Sequence, residues 1–415
     1  MDKNKRLLFK NTMMLYVLRF SSYFFSFITV PYQTRIMGPS IYGKIGVATA
    51  FMMYFQLFLD FGFLLSATEE VSRKREDRNR LSEIMTSVNC IKVCFSLIST
   101  VVLYAVCIGI PQYREDKLLY FLFLLQAIAA SFQPDYIYRG IENMSKVTYR
   151  TVFTKALFTC MIFVFLRKPS DYLCVPIIMG IGELIAVVWS YYDLKKNYGI
   201  CFVKVPIQDI MARLKRSSFF FLSRIVTTVY TATNTVILGF ADATGVMVGC
   251  YTAAYKLIST GQNAVAPVSD SLYPYMIKNK DFKLVKKVLL ITTPITMMGA
   301  IVIYIFAEPI CLVFFGEEFT QAGDILRAMM PLAVLTLPNY ILGFPTLGAM
   351  GLSQHANIAI YISSGIHVIN LVILSAFGKL NAVSLAWLMS LACFVEVVYR
   401  FSIVWKNRKM MNGGG

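Results

Sequence analysis

The sequence has few charged residues for its length. Only 15% of its 415 residues are charged, whereas soluble proteins carry about 25%. Apolar residues make up 57% of the chain and the mean hydropathy is +0.61. Because no polar stretch is long enough to form a separate soluble domain, we predict an all-α integral membrane protein with several spans.

Residues that build metal and catalytic sites are also scarce. There are only two histidines, His355 and His367, and the nine cysteines are scattered without a CxxC pair. No metal site is therefore predicted. The sequence contains no P-loop, Rossmann fingerprint, HExxH motif or nucleophile elbow. Since the loops are too short to build a catalytic pocket, we predict a protein that is not an enzyme and needs no cofactor.

Acidic residues are outnumbered by basic ones. The chain has 23 Asp and Glu against 40 Lys and Arg. With the N-terminus in the cytoplasm, about 25 of the basic residues fall in cytoplasmic segments and about 7 in outer loops. The positive-inside rule then predicts that both termini are cytoplasmic. Anionic lipid explains the basic excess, so no nucleic-acid partner is expected.

Apolar runs of helical length recur about twelve times along the chain. A helix needs about 20 residues to cross the hydrocarbon core of a bilayer. The predicted spans are 11–34, 45–66, 85–110, 118–133, 147–166, 172–192, 217–240, 246–272, 288–307, 326–348, 357–377 and 382–405.

These spans are predicted to form two lobes of six helices. The N-terminal lobe covers residues 1–195, the C-terminal lobe covers 217–405, and a disordered tail covers 406–415. The segment 196–216 is predicted to be a cytoplasmic linker. Its apolar residues recur at helical spacing, as in an amphipathic helix lying in the membrane interface, although a plain linker is the alternative. These residues are Ile207, Ile210, Met211 and Leu214.

The sequence pattern of the segment Asn11–Ser66 recurs in altered form about 205 residues later. It consists of two apolar runs joined by a predicted tight loop, Gly38–Gly43. An internal repeat of this size is typical of transporters whose site lies between two bundles, although helical hydropathy alone could produce part of the match. The matching positions are Leu18-Arg19-Phe20 with Ser223-Arg224-Ile225, Gly43 with Gly249, and Ala48 with Ala254.

Basic residues inside the apolar spans are candidates for substrate binding. A charge in the centre of a lipid-facing helix costs roughly 2.5–3.5 kcal/mol, so such residues should face other helices or a hydrated cavity. A cationic cavity favours an anionic substrate, and the fork of arginine suits a diphosphate. The candidates are Arg19 and Arg224 first, then Lys92, Lys155 and Lys256.

Structural roles are the alternative for these cations. Arg19 could pair with Asp60 and Arg224 with Asp270, while Lys92, Lys155 and the further cation Arg150 could snorkel to an interface. Four acids in the spans could relay protons or bind Na⁺. They are Asp60, Asp270, Glu183 and Glu396.

Several loose motifs, in this order and spacing, resemble the polysaccharide-specific branch of the multidrug/oligosaccharidyl-lipid/polysaccharide flippase superfamily, the Wzx-type O-antigen flippases. The resemblance covers nearly the whole chain. The motifs are Arg35-Ile36-Met37-Gly38-Pro39-Ser40-Ile41-Tyr42-Gly43, Asp60-Phe61-Gly62-Phe63 with Ala67-Thr68-Glu69, Val248-Gly249-Cys250-Tyr251-Thr252-Ala253-Ala254-Tyr255-Lys256-Leu257, Leu272-Tyr273-Pro274, and Phe315-Gly316-Glu317-Glu318-Phe319 with Ala322.

The resemblance implies a V-shaped pair of six-helix lobes in the bacterial inner membrane. It implies transport of an undecaprenyl-diphosphate-linked oligosaccharide, such as an O-antigen repeat unit, from the cytoplasmic to the periplasmic leaflet by alternating access. A polysaccharide polymerase and a chain-length regulator would be its partners beside membrane lipids. The cavity arginines of the family carry over only to Arg19 and Arg224, and the acidic coupling residues of drug-extruding relatives have no clear match.

Two other functions remain open from the sequence. An ion-coupled antiporter for a drug or metabolite would require an acid in the N-terminal lobe. A membrane enzyme such as an O-antigen polymerase would require a large outer loop, which the sequence does not contain.

Overall fold

The computed structural model describes residues 3–242 and 244–408, without the side chains of residues 3–9, 222–224 and 226–231. Within that part of the chain the fold is helical and contains no strand. The predicted disordered tail falls largely outside the described residues. The α-helices are α1 (Lys3–Asp60), α2 (Phe63–Arg73), α3 (Arg78–Gly109), α4 (Pro111–Glu115), α5 (Lys117–Ser131), α6 (Asp135–Gly140), α7 (Met144–Phe165), α8 (Cys174–Asp193), α9 (Ile207–Ala241), α10 (Val246–Asn279), α11 (Phe282–Ile305), α12 (Ala307–Phe315), α13 (Ala322–Ala328), α14 (Met330–Ile341), α15 (Ser353–Ala376) and α16 (Ala382–Lys406).

Nine described helical stretches are long and apolar enough to cross a membrane, as judged by length and composition. The first of them, Lys10–Arg73, contains two predicted spans. Helices α9 and α10 cover two more predicted spans but are not among the nine. The chain is therefore a multi-pass membrane protein, while the count of twelve spans and the cytoplasmic placement of both termini stay predictions.

The first two predicted spans are joined by a single non-helical residue. Gly38, at φ 67° and ψ 172°, breaks α1, and the helix resumes at once. The predicted loop Gly38–Gly43 is therefore wrong beyond Gly38. Pro39 explains the difference, because its fixed φ suits the first turn of a helix and its missing N–H would have no partner there.

The described residues cluster into two units. Unit 1 comprises the chain up to Met37 and Val47–Ala232, and unit 2 comprises Gly38–Gly46 and the chain from Thr233 onward. This division differs from the predicted lobes in two places. It transfers the start of the second half of α1 to unit 2, and it falls inside α9 rather than in the segment 196–216. The lobe boundaries 1–195 and 217–405 thus stay a prediction.

A buried apolar cluster in unit 1 surrounds α2 and includes Phe63, Ile84 and Tyr138. Ile210 and Leu214 of α9 pack against it. The segment 207–216 is helical, as its spacing predicts, but it continues without a break into the rest of α9 and so is not a separate linker helix.

Two glycines allow a very close helix crossing within unit 2. A Cβ atom on Gly43 would lie 2.0 Å from the carbonyl oxygen of Gly245, and one on Gly249 would lie 2.0 Å from that of Pro39. Gly43 therefore faces the backbone four residues before Gly249, and Gly249 faces the backbone four residues before Gly43. Since Gly43 and Gly249 are the positions that the predicted repeat aligns, the contact has the reciprocity of a local two-fold axis.

Candidate functional site

A cavity of about 470 Å³ lies within unit 1. Its volume falls in the range of ligand pockets, about 300–1,000 Å³. It is walled by α1, α6, α7, α8 and the residues that join α5 to α6. The lining side chains include Ser22, Phe25, Ser26, Thr29, Gln133, Asp135, Arg139, Thr151, Thr154, Lys155, Phe158 and Glu183.

Hydroxyl groups form a stripe along the α1 wall of this cavity. Ser22, Ser26 and Thr29 follow one another at intervals of four and three residues, which places them on one helix face. The hydroxyl of Ser22 donates to Leu18 O at 2.7 Å and that of Thr29 to Phe25 O at 2.9 Å. Their lone pairs remain able to accept hydrogen bonds from a ligand. The sequence analysis missed this stripe, although its spacing was visible.

Charged groups lie at the same cavity. Lys155 and Glu183, both candidates from the sequence, are part of its lining. Arg139 and Asp135 join them and were not predicted as site residues. Two cations, two acids and a row of hydroxyls are thus gathered in one polar cavity of an apolar protein.

Arg150 holds one side of the cavity together. It is buried and forms an ion pair with Asp135 at 2.5 Å. It also donates to Gln133 Oε1 at 2.7 Å and to Ser190 Oγ at 2.5 Å. Gln133 in turn donates through Nε2 to Glu183 Oε2. The alternative that Arg150 snorkels to an interface is wrong, because its side chain is enclosed by these partners.

A smaller cavity of about 140 Å³ adjoins the first, and Gln133 and Asp135 line both. Asp60 and Lys92 belong to its lining. Lys92 is only 4% exposed and donates to Ser131 O, so it does not snorkel to an interface either. Asp60 accepts a hydrogen bond from Gln56 at 3.1 Å.

Glu396 belongs to a buried polar network in unit 2. Its carboxylate accepts hydrogen bonds from Asn339 at 2.7 Å and Ser363 at 2.8 Å and lies 3.6 Å from Arg400. Arg400 donates to both carbonyl groups of Asn339 and to Ala356 O at 3.1 Å. These contacts give Glu396 the environment of a structural ion pair.

A second buried group in unit 2 contains His367. Its Nε2 atom lies 2.8 Å from Asn234 Oδ1, and Asn234 donates to the hydroxyl of Tyr251 at 3.1 Å. All three side chains are buried.

The remaining candidates from the sequence are not among the side chains that line these two cavities. Arg19 is exposed on α1, and Lys256 and Asp270 are exposed on α10. Lys256 is ten residues into α10, about 15 Å from its start. The side chain of Arg224 lies outside the described residues, so its predicted roles in binding or in a pair with Asp270 are untested.

A protein-family model and two named relatives match most of this chain. A family model described as "Polysaccharide biosynthesis protein" matches residues 8–280. A protein of Shigella dysenteriae named "Putative O-antigen transporter" is 25% identical over 326 residues, which cover 77% of this chain and 81% of the relative. A protein of Escherichia coli strain K12 with the same name is 22% identical over 353 residues, covering 84% and 85%.

Solved structures resemble the fold over nearly the whole chain. The lipid II flippase MurJ in an inward closed conformation has a TM-score of 0.72 at 15% identity, covering 98% of this chain and 90% of that one. An inward-facing multidrug resistance MATE family transporter of the MOP superfamily also has a TM-score of 0.72, at 13% identity, covering 93% and 94%. These likenesses place the chain in the fold of that superfamily, as the sequence motifs indicated.

Proposed function

Because the chain belongs to the polysaccharide biosynthesis protein family, we propose that it is a flippase for an undecaprenyl-diphosphate-linked oligosaccharide. It carries the sugar head group from the cytoplasmic to the periplasmic leaflet of the bacterial inner membrane by alternating access. The names of its relatives in Shigella dysenteriae and Escherichia coli favour an O-antigen repeat unit as the cargo. A polysaccharide polymerase and a chain-length regulator are its proposed partners.

The observation that carries this proposal is the hydroxyl-lined cavity of unit 1. A sugar cannot enter hydrocarbon unless its hydroxyl groups keep hydrogen-bond partners, since each unpaired group costs several kcal/mol. Ser22, Ser26 and Thr29 offer acceptors from one helix, and Thr151 and Thr154 line the cavity from another. Phe25 and Phe158 supply apolar surface beside them, which suits the faces of sugar rings.

The diphosphate requires positive charge near this cavity. Lys155 and Arg139 line it and are our first assignments for that role. Lys256, in the C-terminal half of the chain, is a further candidate for binding the diphosphate. It is exposed well inside α10 and forms no ion pair within the described residues. Lys92 is buried against Ser131 O, which supports a structural role. Arg19 and Arg224 stay proposals from the sequence.

Ion coupling is proposed for acids that line the cavities. Glu183 and Asp60 belong to the larger and the smaller cavity, and Gln133 lies on both. A proton or Na⁺ bound at Glu183 would compete with its hydrogen bond from Gln133. Glu396 is a weaker candidate because Arg400 already offsets its charge. Asp270 stays a proposal from the sequence.

The test is leaflet exchange in liposomes that contain the purified protein and an undecaprenyl-diphosphate oligosaccharide. Exchange is followed by the accessibility of the sugar to a lectin added outside. Lys155→Gln should slow exchange at least tenfold, and Thr154→Val should slow it by a smaller factor because one acceptor is lost. Thr100→Val is the matched control, because Thr100 bonds its own helix as Thr154 does but is exposed on α3.

Three results would count against the proposal. Exchange that survives in Lys155→Gln and Thr154→Val would remove the cavity from the cargo path. Exchange lost equally in Thr100→Val would show a general effect on folding. Failure of the wild type with lipid-linked sugars, together with efflux of a soluble cation, would favour the antiporter.

A further inference from the structure

Five lysines lie within ten residues at the junction of α10 and α11. They are exposed, yet the backbone that carries them is anchored. Met276 before the junction and Phe282 after it are buried in one apolar cluster. The N–H of Lys280 donates to Met276 O at 2.9 Å, and the Asp281 carboxylate caps α11 through Leu284 N at 3.0 Å. The lysines are Lys278, Lys280, Lys283, Lys286 and Lys287.

These lysines differ from many basic residues of unit 1 in forming no ion pair within the described residues. Within the described part of the chain, none of the five forms an ion pair. Unit 1 pairs many of its basic residues near predicted cytoplasmic segments, and such pairing reduces their attraction for other anions. The pairs are Arg73–Glu69, Arg75–Glu142, Arg80–Glu83, Lys146–Asp193, Arg213–Glu70 and Arg216–Glu69.

Three of the lysines continue an exposed apolar face of α11. From Lys283, residues on this face follow at intervals of three or four, which keeps them on one side of the helix. All of them are exposed, and only 6% of the most apolar 18-residue stretch of α11 is buried. The part from Leu290 to Tyr304 is about 21 Å long, which exceeds the roughly 15 Å of one leaflet's hydrocarbon. The face consists of Lys283, Lys286, Lys287, Leu290, Pro294, Met297, Ile301 and Tyr304.

We propose that this junction is a binding site for the phosphate head group of a lipid whose chain lies along the exposed face of α11. Lys283, Lys286 and Lys287 contact the phosphate directly, while Lys278 and Lys280 raise the local positive potential. The charges lie at one end of the apolar face, as the head group of a lipid requires. The predicted topology assigns this end to the cytoplasmic leaflet. The site belongs to unit 2 alone and does not depend on the cavity of unit 1.

The experiment is a titration of the detergent-solubilised protein with phosphatidylglycerol, read as bound lipid by native mass spectrometry. The triple variant Lys283→Gln, Lys286→Gln, Lys287→Gln should bind it about a hundredfold more weakly, since each lysine near a lipid phosphate contributes about a fivefold factor. Binding of zwitterionic phosphatidylcholine should not change. The thermal midpoint should also stay unchanged, because the three side chains are exposed and unpaired within the described residues.

The matched control changes three other exposed lysines on the same predicted side, Lys195, Lys196 and Lys204, to Gln. This variant has the same net charge as the first and should bind phosphatidylglycerol like the wild type. Equal loss in both variants, or wild-type binding by the Lys283 triple, would overturn the proposal. If the triple fails to fold, Lys287→Gln alone should bind about fivefold more weakly.

Competition identifies which lipid occupies the site. Undecaprenyl diphosphate that displaces phosphatidylglycerol at far lower concentration would make it a docking site for the cargo lipid. Equal competition would make it a general phospholipid site. Inorganic diphosphate that competes as well as either lipid would contradict the contribution of the apolar face.

Discussion

Arg400→Gln tests whether the buried network around Glu396 stabilises unit 2. In the native protein Arg400 donates to Asn339 O at 2.7 Å, to Asn339 Oδ1 at 2.6 Å and to Ala356 O at 3.1 Å. It also lies 3.6 Å from the carboxylate of Glu396, and both side chains are buried. A glutamine is too short to reach all these groups and carries no charge.

The expected loss follows from what the substitution leaves behind. Removing one member of a buried ion pair costs about 3–5 kcal/mol, because the other charge stays enclosed without compensation. For a unit of about 200 residues, each kcal/mol lowers the melting temperature by about 2–4 °C. The thermal midpoint of unit 2 should therefore fall by about 10 °C. The double variant with Glu396→Gln should lose less than the sum of the two single variants, because it isolates no buried charge.

The assay is thermal unfolding of the protein in detergent, followed by a dye that reacts with newly exposed cysteine. Cys393, buried one turn from Glu396 on α16, reports on this region. Lys406→Gln on the same helix is the control, since Lys406 is exposed and should shift the midpoint by less than 1 °C. If Arg400→Gln behaves like Lys406→Gln, the network does not stabilise the unit, and Glu396 becomes a stronger candidate for ion coupling.

Two further predictions concern single contacts. Gly249→Ala should lower the free energy of unfolding by more than about 2 kcal/mol, because its methyl group meets backbone rather than a side chain that could move. Gly261→Ala on the same helix meets nothing within 4 Å and should be neutral or stabilising by up to about 1 kcal/mol, and equal midpoints for the two variants in thermal unfolding would contradict the close crossing. Arg213→Gln should cost about 1–3 kcal/mol in denaturant unfolding, because Arg213 contacts both carboxylate oxygens of Glu70 and is largely buried. Arg73→Gln removes an ion pair with Glu69 in which the Arg73 side chain is 71% exposed, and it should cost less than about 0.5 kcal/mol. A similar loss in both variants would refute the argument from burial.

Most of the helices were predictable from the sequence because helix length and hydropathy are local properties. The runs that predicted the spans 85–110 and 382–405 appear as α3 and α16. The structure of Gly38–Gly43 was harder to predict. A Gly-Pro pair is typical of a turn of several residues, whereas here only Gly38 leaves the helical conformation. The break at Gly38 was predictable, but the same Pro39 that suggests a turn also suits the first turn of a helix, so the immediate start of the next helix was not.

The candidate site was predictable only in part. Lys155 and Glu183 were found because a charge in an apolar span requires an explanation. Gln133 and Asp135 were missed because they end a span and resemble ordinary loop residues. Their role depends on distant partners. Asp135 contacts Arg150, which is 15 residues further along the chain, and Gln133 contacts Glu183, which is 50 residues further along. Such pairings depend on tertiary structure, which no local pattern encodes.

The crossing of Gly43 and Gly249 also limits how this chain can change by mutation. In most close packings a larger residue on one side can be offset by a smaller one opposite. Here each glycine faces the backbone of the other segment, and both residues are already the smallest possible. No single compensating substitution therefore exists for either position. If the two segments descend from one duplicated ancestor, each copy has since kept the other from diverging at this point.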